Sequence, residues 1–177
     1  MILLTSELRK LVDDGVILFD GDIQIGQNSI DVHFGDRFQM EEIIPRGVVN
    51  PKSGIFPTMR DFKDTIQLLP GGFCLAGTAE VFHIPEDLVM KFTLTSTLAR
   101  CGLNQMLAIT ANPGFKGHLT LELVNTLARH ATVLSSGEVC GQVEFYRTDG
   151  FIPEHYRYSR TGRYQNDSGA DAPKESR

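Results

Sequence analysis

The stretch His118-Leu-Thr-Leu-Glu-Leu-Val-Asn125 alternates, with Leu119, Leu121 and Leu123 set against His118, Thr120 and Glu122. Period two on a strand sends the leucines to a core and the carboxylate to the opposite face. Glu122 is then either a solvated edge residue or a positioned general base able to take a proton from water. The turn Asn112-Pro-Gly-Phe-Lys-Gly117 feeds directly into this strand. Upstream, Ser96-Thr-Leu-Ala-Arg100 places a hydroxyl and a guanidinium four residues apart, so one helical turn projects both to one side, as surface decoration or as part of a site.

Other reactive side chains read more blandly. His83 and His118 fall on strands, where a lone histidine is more often structural than catalytic. Cys101 follows Arg100 but has no histidine or aspartate partner nearby in sequence, so a core position is expected. Phe115 packs either on a ligand or on a neighbouring subunit. Tyr164, an aromatic in a polar segment, is suited to stacking over a base or sugar.

These residues must be positioned by short strands. Residues 4–14 predict a helix capped by Thr5 or Ser6, with Leu8, Leu11 and Val12 on one face and Gly15 as its stop. After it, strand-like runs follow at 29–34, 38–43, 65–69, 78–84, 89–94, 106–110, 118–125, 131–134 and 139–146, mostly separated by Gly, Pro, Asn or Asp. That spacing predicts an all-β sandwich or barrel with a helical turn at 97–100. Residues 45–64 read as a long surface loop. From Tyr158 to the end, aliphatic residues are almost absent, which predicts a flexible tail that joins no core.

Composition narrows the class. The 177 residues, 41% apolar and 22% charged, are those of an ordinary globular domain. A formal charge of −5 argues against a partner such as duplex nucleic acid, whose phosphates need a broad basic face, but permits a small anionic ligand. No apolar run reaches the roughly 18 to 20 residues of a membrane span, and no signal peptide is expected. Three scattered cysteines without a CxxC spacing suggest neither a disulfide framework nor a zinc site, so a cytoplasmic setting is expected.

Five ordered segments resemble the dCTP deaminase family of the dCTP deaminase and dUTPase superfamily. Ser96-Thr-Leu-Ala-Arg-Cys-Gly-Leu103 is similar to that family's Ser-Ser-Leu-Ala-Arg-Leu-Gly-Leu. Asn112-Pro-Gly-Phe-Lys-Gly-His-Leu-Thr-Leu-Glu122 is similar to its Asp-Pro/Ala-Gly-Phe/Trp-x-Gly-x-x-x-Leu-Glu. Ser29 to Gly35, Gly141-Gln142 and Arg163 to Ala170 match its N-terminal strand, its last core strand and its C-terminal motif.

The resemblance implies a distorted β-barrel or jelly-roll of the dUTPase type, with residues 1–157 as the domain and 158–177 closing over the nucleotide. It also implies a homotrimer with sites between subunits, and hydrolysis of dCTP to dUTP and ammonia without zinc. The His-x-Glu and Pro-Cys-x-x-Cys signature of zinc deaminases is absent. By resemblance, Glu122 is the base, while Ser96 and Arg100 orient the water and stabilise charge. Thr97, Ala111, Asn112, Phe115, Gln142, Tyr156, Arg163, Tyr164 and Asp167 fall at substrate-binding positions, and Mg²⁺ rides on the substrate phosphates.

The departures bear on the ligand. Thr95 stands where the family places an arginine that contacts the triphosphate, and 108–112 reads Ala-Ile-Thr-Ala-Asn against Ala-His-Arg-Ile-Asp. Each lost charge-assisted contact removes roughly 1.5 to 3 kcal/mol. Asn112 stands where dUTPases carry their basic aspartate, and an amide is no general base. Asp167 replaces a glutamine. The alternatives are therefore a binding protein that senses or sequesters nucleotides without turnover, and a deaminase of a modified cytidine nucleotide.

Overall fold

The computed structural model describes residues 1–42, 47–106 and 108–174. The chain opens with helix α1 (Thr5–Asp13), then β1 (Ile17–Leu18), β2 (Ile30–Glu41), β3 (Met59–Lys63), β4 (Thr65–Leu68) and β5 (Phe73–Thr78). Strands β6 (Val81–His83) and β7 (Leu88–Leu94) lead into the single-turn helix α2 (Ser96–Arg100). The strands β8 (Leu103–Gln105), β9 (Thr110–Ala111), β10 (Lys116–Gly117), β11 (Thr120–Asn125), β12 (Thr132–Ser135) and β13 (Val139–Arg147) follow, before the short helix α3 (Tyr158–Thr161).

The architecture is all-β, a distorted barrel built on one curled sheet in the order β8-β11-β5-β2-β13-β7-β9, with β3 also paired to β2. Strand β2 makes the curl possible. Its first half pairs with β13 (Ile30 opposite Val143) and its second half with β5 and β3 (Met40 opposite Cys74 and Arg60), so one long strand turns from one wall into the next. Alternation along it buries Ile30, Val32 and Phe34 together with Phe38, and these meet Phe92, Phe145, Leu121 and Leu123 in a single apolar core. Asn125 and Glu80, two polar residues buried within the barrel, are hydrogen-bonded. Asn125 donates to the carbonyls of Leu68 and His130 at 2.9 and 2.8 Å, and the Glu80 carboxylate accepts the His33 backbone N–H and lies 2.7 Å from His33 Nδ1.

Several sequence expectations are corrected. Residues 59–63, read as loop, form β3, an edge strand whose polar composition hid it. The apolar run of β5 was missed because burial on both sides erases period two. The expected strand 78–84 breaks after Thr78 and resumes as β6. The expected strand 106–110 is instead β8 and β9 on either side of it, with Leu107 outside the described residues. Ile43, Pro45 and Arg46 also lie outside them. Helix α1 buries Leu8 and Leu11 as expected, but its N-cap is Leu4; the Thr5 hydroxyl donates instead to the Gly26 and Gln27 carbonyls. Cys101 is exposed, because α2 lies outside the barrel and turns mainly Leu98 toward the core. Among the described residues, no helix is long and apolar enough to cross a membrane.

The C-terminal segment, expected to join no core, packs as a strap. Ala170 is fully buried and Asp167 is 5% exposed. Backbone contacts rather than aliphatic side chains dock it, which is why composition misjudged it. The N–H of Asn166 donates to the Lys116 carbonyl at 2.8 Å, and the N–H of His118 donates to the Asp167 carbonyl at 3.0 Å. Glycines permit that approach: a Cβ on Gly77 would sit 2.9 Å from the Gly169 Cα, and one on Gly117, where φ is +132°, would sit 2.6 Å from the Asp167 nitrogen. Gly77→Ala is therefore expected to displace the strap while sparing the barrel. Trypsin should cleave after exposed Arg163 faster than in the wild type, with the main thermal transition little changed; unchanged cleavage would refute this docking role.

Candidate active site

Strand β11 sits between β5 and β8, with Glu122 directly opposite Leu75 and its carbonyl accepting the Met106 N–H at 2.8 Å. Both backbone edges are thus fixed. Leu121 and Leu123 fill the core, so the Glu122 side chain can only face the other way. There it is half-buried rather than freely solvated. A cavity of about 340 Å³ covers that face.

The walls of this cavity are mainly apolar, with Pro57, Met59, Phe73 and Leu75 on one side and Ala108, Ala111 and Phe115 on another. Its roof is the strap, through Tyr158, Tyr164, Asp167 and Asp171. The Phe115 ring meets Tyr158 edge-on with centroids 5.9 Å apart, joining the turn before β11 to the roof. The turn itself is closed by the Phe115 N–H donating to the Asn112 carbonyl at 3.1 Å. Tyr164 lies under the Lys174 ammonium, 5.2 Å from its ring centre.

One Glu122 oxygen, Oε2, is buried without a hydrogen-bond partner. A buried carboxylate oxygen left this way calls for an explanation, and a catalytic role is one. Burial pushes its pKa above the ordinary value, and the Asp167 charge pushes in the same direction. Asp167 is also raised, by burial first and then by Asp171, although the Gly169 N–H at 2.8 Å and the Thr120 hydroxyl at 3.2 Å oppose the shift. Asp171 sits below the ordinary carboxylate value: burial would raise it, but the Ser168 hydroxyl and Lys174 outweigh that. A carboxylate made more basic by its surroundings, in a mainly apolar pocket, has the properties that proton transfer to and from water requires.

The cavity gathers Ala111, Asn112, Phe115, Glu122, Tyr164 and Asp167 among the residues singled out in the sequence. It does not gather Ser96, Thr97 or Arg100, which are exposed on α2, nor Gln142, Tyr156 and Arg163. Gln142 is exposed on β13 opposite Thr93, close to the start of α2, and donates to Asp31 Oδ1 at 3.1 Å. Thr95 is the N-cap of α2, its hydroxyl accepting the Leu98 N–H at 3.4 Å. The chain therefore carries two separate sets of residues: a half-buried carboxylate and an exposed hydroxyl–guanidinium turn. His118 lines the cavity with its Nδ1 held 2.8 Å from the Thr78 carbonyl, while His83 is exposed. Sequence reasoning missed the apolar wall from β3 and β5, and it missed Thr120, whose place two residues before Glu122 was the available signal.

A dCTP deaminase-like family model matches residues 2–148. The chain belongs to the dCTP deaminase-like family. Its relatives include the dCTP deaminase of Sulfurovum sp. (strain NBC37-1), 32% identical over 174 residues, which are 97% of this chain and 88% of that protein. The dCTP deaminase of Bordetella pertussis (strain Tohama I) is 35% identical over 146 residues, 81% of this chain and 76% of that one. The crystal structure of 2'-deoxycytidine 5'-triphosphate deaminase from Agrobacterium tumefaciens superposes with a TM-score of 0.65 at 17% identity. That match covers 86% of this chain and half of the other, and it establishes the shared fold. In this dCTP deaminase-like chain, the strap lies beyond the residues that the family model matches.

An ionised Glu122 is costly in its cavity, so Glu122→Gln should raise the melting temperature at neutral pH. The sign follows from a folded pKa above the unfolded one: the cost is present above the raised value and disappears below about pH 4, where both states hold a neutral carboxyl. Thermal melts of both proteins across this range check the prediction, and a gain that persisted undiminished at low pH would contradict it.

Proposed function

We propose that the protein hydrolyses dCTP to dUTP and ammonia, with Glu122 as the general base. The unpartnered Glu122 oxygen in a mainly apolar, partly covered cavity is the observation that carries this reading. Membership of the family and relatives named dCTP deaminase agree with it. Glu122 takes a proton from water as the oxygen bonds to the amine-bearing ring carbon. The protons then pass to the ring nitrogen and the amino group, the C–N bond breaks, and ammonia leaves with the carbonyl in place.

Ser96 and Arg100 would orient the water and stabilise the charge that develops on it. Because they lie outside the Glu122 cavity of their own subunit, they would come from α2 of a neighbour in a homotrimer. Thr97 and Gln142 would join them at the phosphates, with Arg163 and Tyr156 reaching in from the C-terminal segment. The strap, residues 158–174, would cover the bound nucleoside, with Tyr164 over the base or sugar. Among the described residues, no group of three or more His, Cys, Asp or Glu is placed to hold a metal ion, so Mg²⁺ would enter on the triphosphate.

Incubation with dCTP and Mg²⁺ should release ammonia and dUTP in equal amounts. Glu122→Gln should lower kcat by about 10²- to 10⁴-fold, the usual contribution of a general acid–base group. Mixing subunits of Glu122→Gln with subunits of Arg100→Gln should restore part of the activity, because one mixed interface regains both groups. Two features favour a second reading, a nucleotide-binding protein without turnover or a deaminase of an altered cytidine nucleotide. Thr95 serves as a helix cap rather than a cation, and no Lys or Arg is among the described residues lining the cavity. Tight dCTP binding without ammonia, or ammonia from a modified nucleotide only, would replace the first reading.

A further inference from the structure

Three carboxylates, Glu122, Asp167 and Asp171, line one cavity of about 340 Å³ whose other walls are mainly apolar. Asp171 has cations outside the lining: Arg37 Nη1 is 3.3 Å from it and Lys174 Nζ is 3.5 Å away. Asp167 has no ion-pair partner among the described residues. Its carboxylate is held only by neutral donors, the Thr120 hydroxyl at 3.2 Å and the Gly169 N–H at 2.8 Å. Thr120 stands two residues before Glu122 on β11, so both side chains rise from the same strand face as near neighbours. The Thr120 hydroxyl also accepts the Asp171 N–H at 3.2 Å, which ties it to the strap twice.

We propose that Asp167 is a positioning residue for Glu122: the docked strap sets a buried carboxylate, without an ion-pair partner among the described residues and with only Lys174 as a more distant cation, over the same cavity as the base, and their repulsion makes the base a stronger proton acceptor. Two negative charges in one partly buried cavity repel more than in water, and a proton on Glu122 relieves that repulsion. The Glu122 carboxyl is accordingly pushed above its ordinary value, by burial first and, against an opposing backbone hydrogen bond, by the Asp167 charge as well. Asp167 thus acts through Glu122 and needs no contact with the nucleotide itself.

The other groups facing Glu122 do not supply this charge. From the link between β10 and β11, His118 is tied to the Thr78 carbonyl. From the strap come Tyr158, Tyr164 and Asp171, the last compensated by Arg37 of β2 and by Lys174. From β5 and the 108–112 stretch come Phe73, Leu75, Ala108, Thr110, Ala111 and Asn112, none of which titrates. The neighbouring Cys74 is buried in the core and pushed up to about 12.

The test is a carbon-detected NMR titration of the Glu122 carboxyl in the full-length wild type, in Asp167→Asn and in Asp167→Gln, with pH profiles of dCTP deamination alongside. The amides keep an acceptor for Thr120 and Gly169, and trypsin cleavage after Arg163 at the wild-type rate shows that the strap stays docked. The Glu122 midpoint should then move to lower pH. Since the base must be ionised to act, the acidic limb of kcat should move the same way, while a merely structural role would raise KM and leave that limb in place. An unmoved Glu122 midpoint in both variants overturns the proposal. So does faster cleavage in both, which would make Asp167 a strap anchor and nothing more. The kinetic arm rests on the deamination reading; the titration needs no substrate, so absence of turnover with a shifted midpoint would fault that reading and leave this one standing.

Discussion

The ladder on either side of β11 leaves Glu122 a single face to occupy. With Leu121 and Leu123 committed to the barrel interior and both backbone edges paired, the carboxylate must enter whatever space lies over the strand, and here that space is a cavity partly covered by the strap. Everything distinctive about the site follows from this enclosure. Burial raises the proton affinity of Glu122, leaves one of its oxygens without a partner and sharpens every charge placed nearby. An open sheet face would have made the same residue an unremarkable solvated glutamate.

Enclosure depends on two very different kinds of contact. The floor and walls are barrel elements held by strand pairing and by a core of phenylalanines and leucines. The roof is held by main-chain hydrogen bonds, close glycine approaches and polar side chains. Arg37 alone donates to the Ser168 hydroxyl, the Gly169 carbonyl and Asp171. Gln165 reinforces the same junction, accepting the Lys116 N–H and donating to the Gly114 carbonyl. Such bonds are directional and compete with water, so roof and barrel differ in how each responds to substitution.

Much of this was legible in the residues. Alternation put Glu122 on the non-core face, the helix formers of 96–100 became a turn of helix, and Leu8 and Leu11 anchored α1 as their spacing required. What escaped had physical causes. Strand β5 is buried on both sides and so carries no alternation, and β3 is a polar edge that looks like loop. The strap escaped because its docking uses backbone and glycines, which a search for apolar side chains does not register. Separation of α2 from the Glu122 cavity was equally invisible, since spacing along the chain carries no information about which face of a barrel a short helix occupies.

The division between barrel and roof also runs along the sequence. The residues that the family model matches end at 148, whereas Tyr158, Tyr164, Asp167 and Asp171, which overlie Glu122, come later. Ladder bonds from β5 and β8 fix the Glu122 backbone, and the strap shares none of them. Glu122 is thus held by one part of the chain and covered by another, so its surroundings can change while its place on the strand does not.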